Sequence, residues 1–318
     1  MLHTQRRSLE LVRVPTHARR TEVVRLPERS LATLWWAALV AIAWLLVVSG
    51  VVRGGVIYVD SSKGNDAFDG RSVEPLSDRT GPVRSLRAAA ARARSGDSIA
   101  LANNGQTYYG TLTLFGAEHS GVAGQPLTID GNGATVSGAK PIAYGCWRPV
   151  GDDVWRVTPM RKSYYQLVLD GKAVPETAID RAAKSRPELP AGEWCAWQGA
   201  VYYRTEPGVD PNTLALSLAD EEAGILLLDV QNVVIRNLTL QHFRLDGINA
   251  HDRCRDVELV NVTLQANGRA GLAVGGTSKV VLRDSHVQEN RAASVLVTEL
   301  GEARLEGSQY DAKPTAPQ

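Results

Sequence analysis

Asp229, Asp246 and Asp252 fall within one short stretch of this chain, with Arg244, His251, Arg253 and Arg269 close by. Two carboxylates held side by side could share a calcium ion through their oxygens, or share a proton because both do not ionise easily together. An imidazole or guanidine group nearby could accept a proton from a substrate carbon, and donors around it could neutralise an anionic substrate group. Asp229 and Asp252 are therefore candidate metal ligands and Asp246 a candidate substrate-binding residue. His251, Arg244 and Arg269 are the candidate proton acceptors. The competing reading treats aspartates at strand ends as turn residues and the arginines as solvated. His242 and His286 share no position with this group and are expected at the surface.

These residues sit inside a repeat. Runs GILLLD (Gly224–Asp229), GINAHD (Gly247–Asp252), GLAVGG (Gly271–Gly276) and SVLVTE (Ser294–Glu299) recur at spacings of 23, 24 and 23 residues. Each is followed by a second β-rich run: NVVIRNLTLQ, DVELVNVTLQ, KVVLRDSHVQ and EARLEGSQYD. A fixed period of this size without helical patterning predicts a β-solenoid. Neighbouring coils of a sheet lie about 4.8 Å apart, which would set Asp229 beside Asp252. Alternation places Ile225, Leu227, Ile248, Ala250, Leu272, Val274, Val295 and Val297 inside, with Leu226, Asn249, Ala273 and Leu296 facing out. Val234, Leu238, Leu240, Leu259, Val262 and Leu264 are also expected inside. Asn237, Asn261 and Asp284 recur at one corner, and Gln241, Gln265 and Gln288 at another, as hydrogen-bonded ladders would.

Ahead of the repeat, the sequence changes character several times. Residues 1–30 form a basic arm with seven arginines against three glutamates. Leu31–Val52 follows, 22 residues without a charge, long enough to span a hydrocarbon core of about 30 Å. It predicts a transmembrane helix with the N-terminus cytoplasmic and the remainder outside. Residues 56–139 read as a strand (Val56–Val59), a polar Gly/Asp turn loop, a capping helix (Val83–Arg94) and the first short strands: Ser98–Leu101, Thr111–Leu114, Leu127–Asp130 and Ala134–Ser137. Residues 140–223 interrupt the repeat with an aromatic-rich antiparallel β insertion, whose hairpins turn at Asp170-Gly171 and Gln198-Gly199. Trp194 and Trp197 there could stack on sugar rings, or serve the insertion's own core. Cys146 and Cys195 could pair outside the membrane. Residues 224–313 carry the regular coils and 314–318 a polar tail. With 35 Lys+Arg against 34 Asp+Glu, no charge footprint for nucleic acid is present.

The series YVDSSKGNDAFDG, GPVRSLRAAAARARSGDSIAL and PLTIDGNGATVSG resembles the opening of right-handed parallel β-helix proteins of the pectate-lyase-like superfamily. The resemblance runs from residue 56 to about 313. It implies an all-β, right-handed parallel β-helix with an N-terminal cap and a polysaccharide partner, and a lyase or epimerase acting on an acidic glycan. A non-catalytic carbohydrate-binding or structural surface protein is the alternative. In a lyase of this architecture, Asp229, Asp246 and Asp252 would hold the cation that neutralises the uronate, and His251, Arg244 or Arg269 would take the proton. The sequence lacks the aspartate cluster with a lone lysine of calcium pectate lyases, and the paired aspartates with Gly-His-Gly of polygalacturonases.

Overall fold

In the computed structural model, residues 54–180 and 182–311 are described. The expected span Leu31–Val52, the arm before it and the tail 314–318 lie outside the described residues. Among the described residues no helix is long and apolar enough to cross a membrane.

The chain winds as a solenoid with two parallel sheets. The long sheet takes, in spatial order, Val56–Val59, Ser98–Leu101, Leu127–Ser137, Gln231–Gln241, Arg255–Gln265, Lys279–Arg283 and Glu302–Glu306. The short-strand sheet takes Leu112–Phe115, Ala223–Leu228, Asp246–His251, Ala270–Val274 and Ala293–Val297. One aliphatic stack runs through the long sheet in strict register: Ile57, Ile99, Ile129, Ile235, Leu259, Leu282 and Leu305. All but Leu305 are fully buried, and each such side chain stabilises the fold by about 1.5–3 kcal/mol. The alternation expected for the short-strand sheet holds in the first two coils of the repeat; Ala270–Val274 is buried throughout, Ala273 included, and on the last coil Val295 is half-buried and Val297 43% exposed. Val234 is a correction: Val233 and Ile235 are the buried positions, because Asn232 turns the backbone through φ +52° just before them.

Polar ladders hold the corners. Asn237, Asn261 and Asp284 adopt φ of +54°, +51° and +47°, a left-handed conformation that asparagine and aspartate tolerate better than most residues. Asn261 donates to Asn237 at 2.8 Å, and Asn237 to Asp130 at 3.1 Å. Gln265 donates to Gln241 at 2.8 Å and Gln288 to Gln265 at 3.1 Å. A second, interior asparagine ladder was not foreseen: buried Asn267 donates to Asn290 at 2.9 Å and accepts from the Phe243 amide at 3.1 Å.

The capping helix spans Leu86–Arg92, shorter than Val83–Arg94. Val83 is drawn into a bridge with Val59, and Ser85 caps the helix by accepting from the Ala88 amide. Leu86, Ala88, Ala89 and Ala90 are buried, and the helix packs on Val56–Val59 and on Leu112–Phe115. The insertion leaves the solenoid after Leu127–Ser137 and returns at Ala223–Leu228. It folds as two four-stranded antiparallel sheets. Asp170-Gly171 and Gln198-Gly199 turn their hairpins with positive φ at both residues, as type I′ turns require. Cys146 is exposed and Cys195 buried, and both are free, as is buried Cys254. The Cys146–Cys195 pairing left open by the sequence is not made, and burial pushes the Cys195 thiol up to about 11.

Candidate functional site

The outward face of the short-strand sheet is built from three columns. Ala223, Asp246, Ala270 and Ala293 stand in register in the first; Thr113, Leu226, Asn249, Ala273 and Leu296 in the second. The third contains Phe115, Leu228 and His251. A glycine fixes which way Asp246 points. A Cβ on Gly247 would meet Leu264 and Asn267 of the interior, so Asp246 before it and Asn249 beyond it share the outer side. The coil Asp246–His251 is thus polar at every outward position, while alanine and leucine fill the coil before it.

Asp246 is nonetheless fully buried. Arg269 grips it with Nε at 2.9 Å and Nη2 at 2.5 Å, and Asn249 donates to it at 2.8 Å. These contacts with Asp246 hold the Arg269 guanidinium more firmly protonated than usual. The Arg269 side chain keeps 26% of its surface in solvent. Arg244 is buried at the corner leading into the strand. Its Nη1 lies 3.6 Å from Glu222, its Nη2 donates to the Lys162 carbonyl at 3.3 Å, and its Nε has no partner among the described residues. Arg291, two corners further on, reaches the Tyr165 carbonyl at 3.3 Å and Glu176 at 2.8 Å. Arginines of the solenoid thereby latch the segment Lys162–Tyr165 of the insertion along the edge of this face.

His251 is exposed at the far end of the strand from Asp246. Its ring lies against Gly275, where an added Cβ would sit 2.7 Å from Nδ1 and 3.1 Å from Thr298 Oγ1. At about 3.3 Å per residue, His251 and Asp246 are roughly 16 Å apart.

Asp246, Arg269 and Arg244 are therefore gathered at one end of the strand and His251 at the other. Asp229 and Asp252 do meet, in a shallow cleft of 450 Å³ with Arg253, Gly276 and Thr277. Arg253, however, forks onto Asp229 at 3.1 and 2.9 Å. A calcium site takes six to eight oxygens, and here the partly exposed Asp229 is paired with Arg253. Among the described residues no group of three or more His, Cys, Asp or Glu is arranged to hold a metal.

Trp194 is a second correction. Its indole is 1% exposed and donates to the Val174 carbonyl at 2.9 Å, in the core of the insertion. Trp197 is half-buried against Tyr202, with ring centroids 6.0 Å apart. The insertion needs these rings for its own core, so Trp194 presents no face to a sugar. His242 is the third: it is 3% exposed beside Ser137, and burial lowers its imidazole to about 4. His286 is exposed.

The family described as right handed beta helix region matches residues 206–310. No curated protein matches the chain. Among solved structures, a glycoside hydrolase superposes with a TM-score of 0.52 at 13% identity, over 77% of this chain and 68% of that one. A GH136 lacto-N-biosidase from Eubacterium ramulus has a TM-score of 0.38 at 18% identity, over 84% of this chain and 40% of that one. The pectate lyase Pel9A has 0.31 at 15% identity, over 77% and 56%. The first is a likeness of fold, and the other two superpose too loosely to bear on it. Parallel sheets, the period and the family match together support a right-handed β-helix over the coils from Ala223 to Tyr310.

Proposed function

We propose that this protein engages a glycan outside the cell membrane, across the outward face of the short-strand sheet, at the polar stripe of Asn249 and His251, with buried Asp246 holding Arg269 and Asn249 in place beneath it. The observation that carries the reading is the stripe itself. The first column is alanine in the other three coils of the repeat, so folding is satisfied by alanine there. Burying a carboxylate and a guanidinium costs several kcal/mol per ion unless the geometry repays it. A polar line between apolar walls is how sugar-like ligands are held: apolar area for the ring, a few fixed polar groups for its hydroxyls. The fold likeness to a glycoside hydrolase agrees with this class of ligand. Leu31–Val52 as a membrane anchor would place the solenoid on the extracytoplasmic side.

A lyase or epimerase acting on acidic glycan is the second reading, favoured by one observation, the exposed imidazole of His251. On this reading Arg269 would face a uronate and His251 would take the proton. Their separation assigns them to different sugar residues, so binding is the better supported of the two. Calcium at Asp229 and Asp252 would first have to displace Arg253.

The test uses the full chain in detergent micelles. Oligogalacturonides and xylo-oligosaccharides are titrated calorimetrically, while unsaturated-product absorbance is followed with and without calcium. Asn249→Leu, which copies Leu226 and Leu296, should weaken binding about tenfold, the loss of roughly one good hydrogen-bonded contact. Full affinity in that variant, or no binding of either series, would sink the proposal. Absorbance growth that needs His251 would raise the second reading above the first.

A further inference from the structure

A cleft of 610 Å³ lies at the N-terminal end of the same sheet face, between the capping helix and the strand Leu112–Phe115. One wall is Ser85, Leu86, Arg87 and Ala90 of the helix, and the floor is Thr113 and Phe115. Its back is braced by His119, which is 3% exposed. The Phe115 amide donates to His119 Nδ1 at 3.0 Å, leaving Nε2–H to donate to the Ala90 carbonyl at 3.0 Å. One imidazole thus ties the helix to the strand and sets the width of the cleft.

The lining has a particular chemistry. Phe115 and Tyr109 are 47% and 57% exposed, so two aromatic faces are open to solvent at one spot. Arg87 and Glu118 are also exposed, and neither has a hydrogen bond or ion pair among the described residues. Glu221 closes the rim, held by Lys140 at 2.8 Å. Apolar ring faces beside one free cation and one free carboxylate suit a ligand that is flat and apolar on one side and rich in hydroxyls at its edge. That description fits an uncharged sugar ring. A long acyl chain would leave the charged groups unused, and an anionic ring would meet Glu118 and Glu221.

The cleft is in register with the polar stripe. Thr113 pairs with Leu226 and Leu226 with Asn249; Phe115 pairs with Leu228 and Leu228 with His251. Two coil spacings of about 4.8 Å put the cleft roughly 10 Å from the stripe, joined by the apolar pair Leu226 and Leu228. The helix closes the face beyond it.

We infer that this cleft is a second sugar subsite, which takes the uncharged terminal residue of a glycan lying along the solenoid axis, with Phe115 as the stacking platform and Arg87 and Glu118 as the hydroxyl partners. The inference rests on the glycan reading of the polar stripe and adds the direction of the chain and the nature of its end.

The experiment measures affinity for xylo-oligosaccharides from the single sugar to the hexamer. It compares the full-length wild type with Phe115→Ala, Glu118→Gln and Asn249→Leu. The side chains of Phe115 and Glu118 are exposed, and circular dichroism confirms that each variant is folded. The expected result is about tenfold weaker binding of the long oligomers by Phe115→Ala and a smaller loss by Glu118→Gln. The wild-type gain in affinity with chain length should stop in both variants. If both bind every length as the wild type does while Asn249→Leu weakens binding, the subsite is overturned and the stripe stands. If Asn249→Leu is silent and the cleft variants lose binding, the subsite stands and the stripe reading falls. Equal losses at all lengths, the single sugar included, would overturn the terminal-residue assignment.

Discussion

The coil Asp246–His251 and the coils stacked against it share backbone path, register and interior, and differ outside. Ile248 and Ala250 fill the core as Ile225 and Leu227 do before them and Leu272 and Val274 after. Outward, the first coil shows Ala223, Leu226 and Leu228, and the third Ala270 and Ala273, whereas the middle one shows Asp246, Asn249 and His251. Because the same backbone closes with apolar residues on both sides, the solenoid does not need the polar set to fold. The difference separates what the winding requires from what has been added to it.

The largest expected effect comes from making the middle coil resemble its neighbours one residue at a time. Asp246→Ala leaves Arg269 partly buried without its carboxylate and should cost about 3–4 kcal/mol in urea unfolding. Adding Arg269→Ala, as at the equivalent Ala292, should restore most of that loss. A double variant no more stable than the single would mean that the pair supports the fold itself.

Next in size is a contrast between corners. His242 occupies, at φ +58°, the corner that Ala266 occupies one coil later at φ +49°. With the folded imidazole at about 4 against an ordinary 6.5, the unfolded chain binds the proton first. Stability is complete above pH 6.5 and falls as pH drops toward 4, by roughly 3 kcal/mol in all. His242→Ala should flatten that slope. A slope unchanged in the variant would assign the acid sensitivity to another group.

A smaller loss tests the outer ladder. Asn261→Gly keeps the left-handed backbone and removes the amide linking the corners, and should cost about 1 kcal/mol in thermal or urea unfolding. The smallest concerns His251. Gly275→Ala must push the imidazole aside while the core stays untouched, so stability should move by under about 0.5 kcal/mol while glycan affinity falls. Unchanged affinity in this variant would remove His251 from the stripe.

Much of the winding was legible beforehand because its causes are periodic. The 23- and 24-residue spacing, the alternation at Ile225–Leu227 and the corner asparagines each repeat, and repetition is visible without coordinates. Two hairpins were legible from Asp170-Gly171 and Gln198-Gly199, since glycine supplies the second left-handed residue. The turn at Asp152-Asp153 has φ of +53° and +58° without glycine and gave no comparable signal. The site was harder. Asp246 was among the candidates, but its grip by Arg269 depends on Gly247 turning inward, which breaks simple alternation. The clue that could have exposed it is an aspartate in a column of alanines. The cleft at Arg87, Phe115 and Glu118 joins a helix to a strand with no shared period, so no spacing announced it. Residue type alone does not say on which side of a core a ring will lie: it leaves Trp194 open between sugar stacking and core, and places His242 at the surface although it is 3% exposed.

The two ends of the solenoid are not alike. The N-terminal end is closed by Leu86–Arg92. At the other, Glu302–Glu306 is the last strand of the long sheet among the described residues, with Val297 and Leu300 at 43% and 74% exposure. Glu302 and Glu306 are held by Lys279 and Arg283 at 2.8 and 3.0 Å, charges that discourage another strand from adding to the edge. In a linear array each coil is supported only by its neighbours. Amide protection should therefore grade along the axis, lowest at Glu302–Glu306 and rising toward Ile129 and Ile235. The polar coil, two coils inward from Ala293–Val297, would keep its shape through openings of Glu302–Glu306.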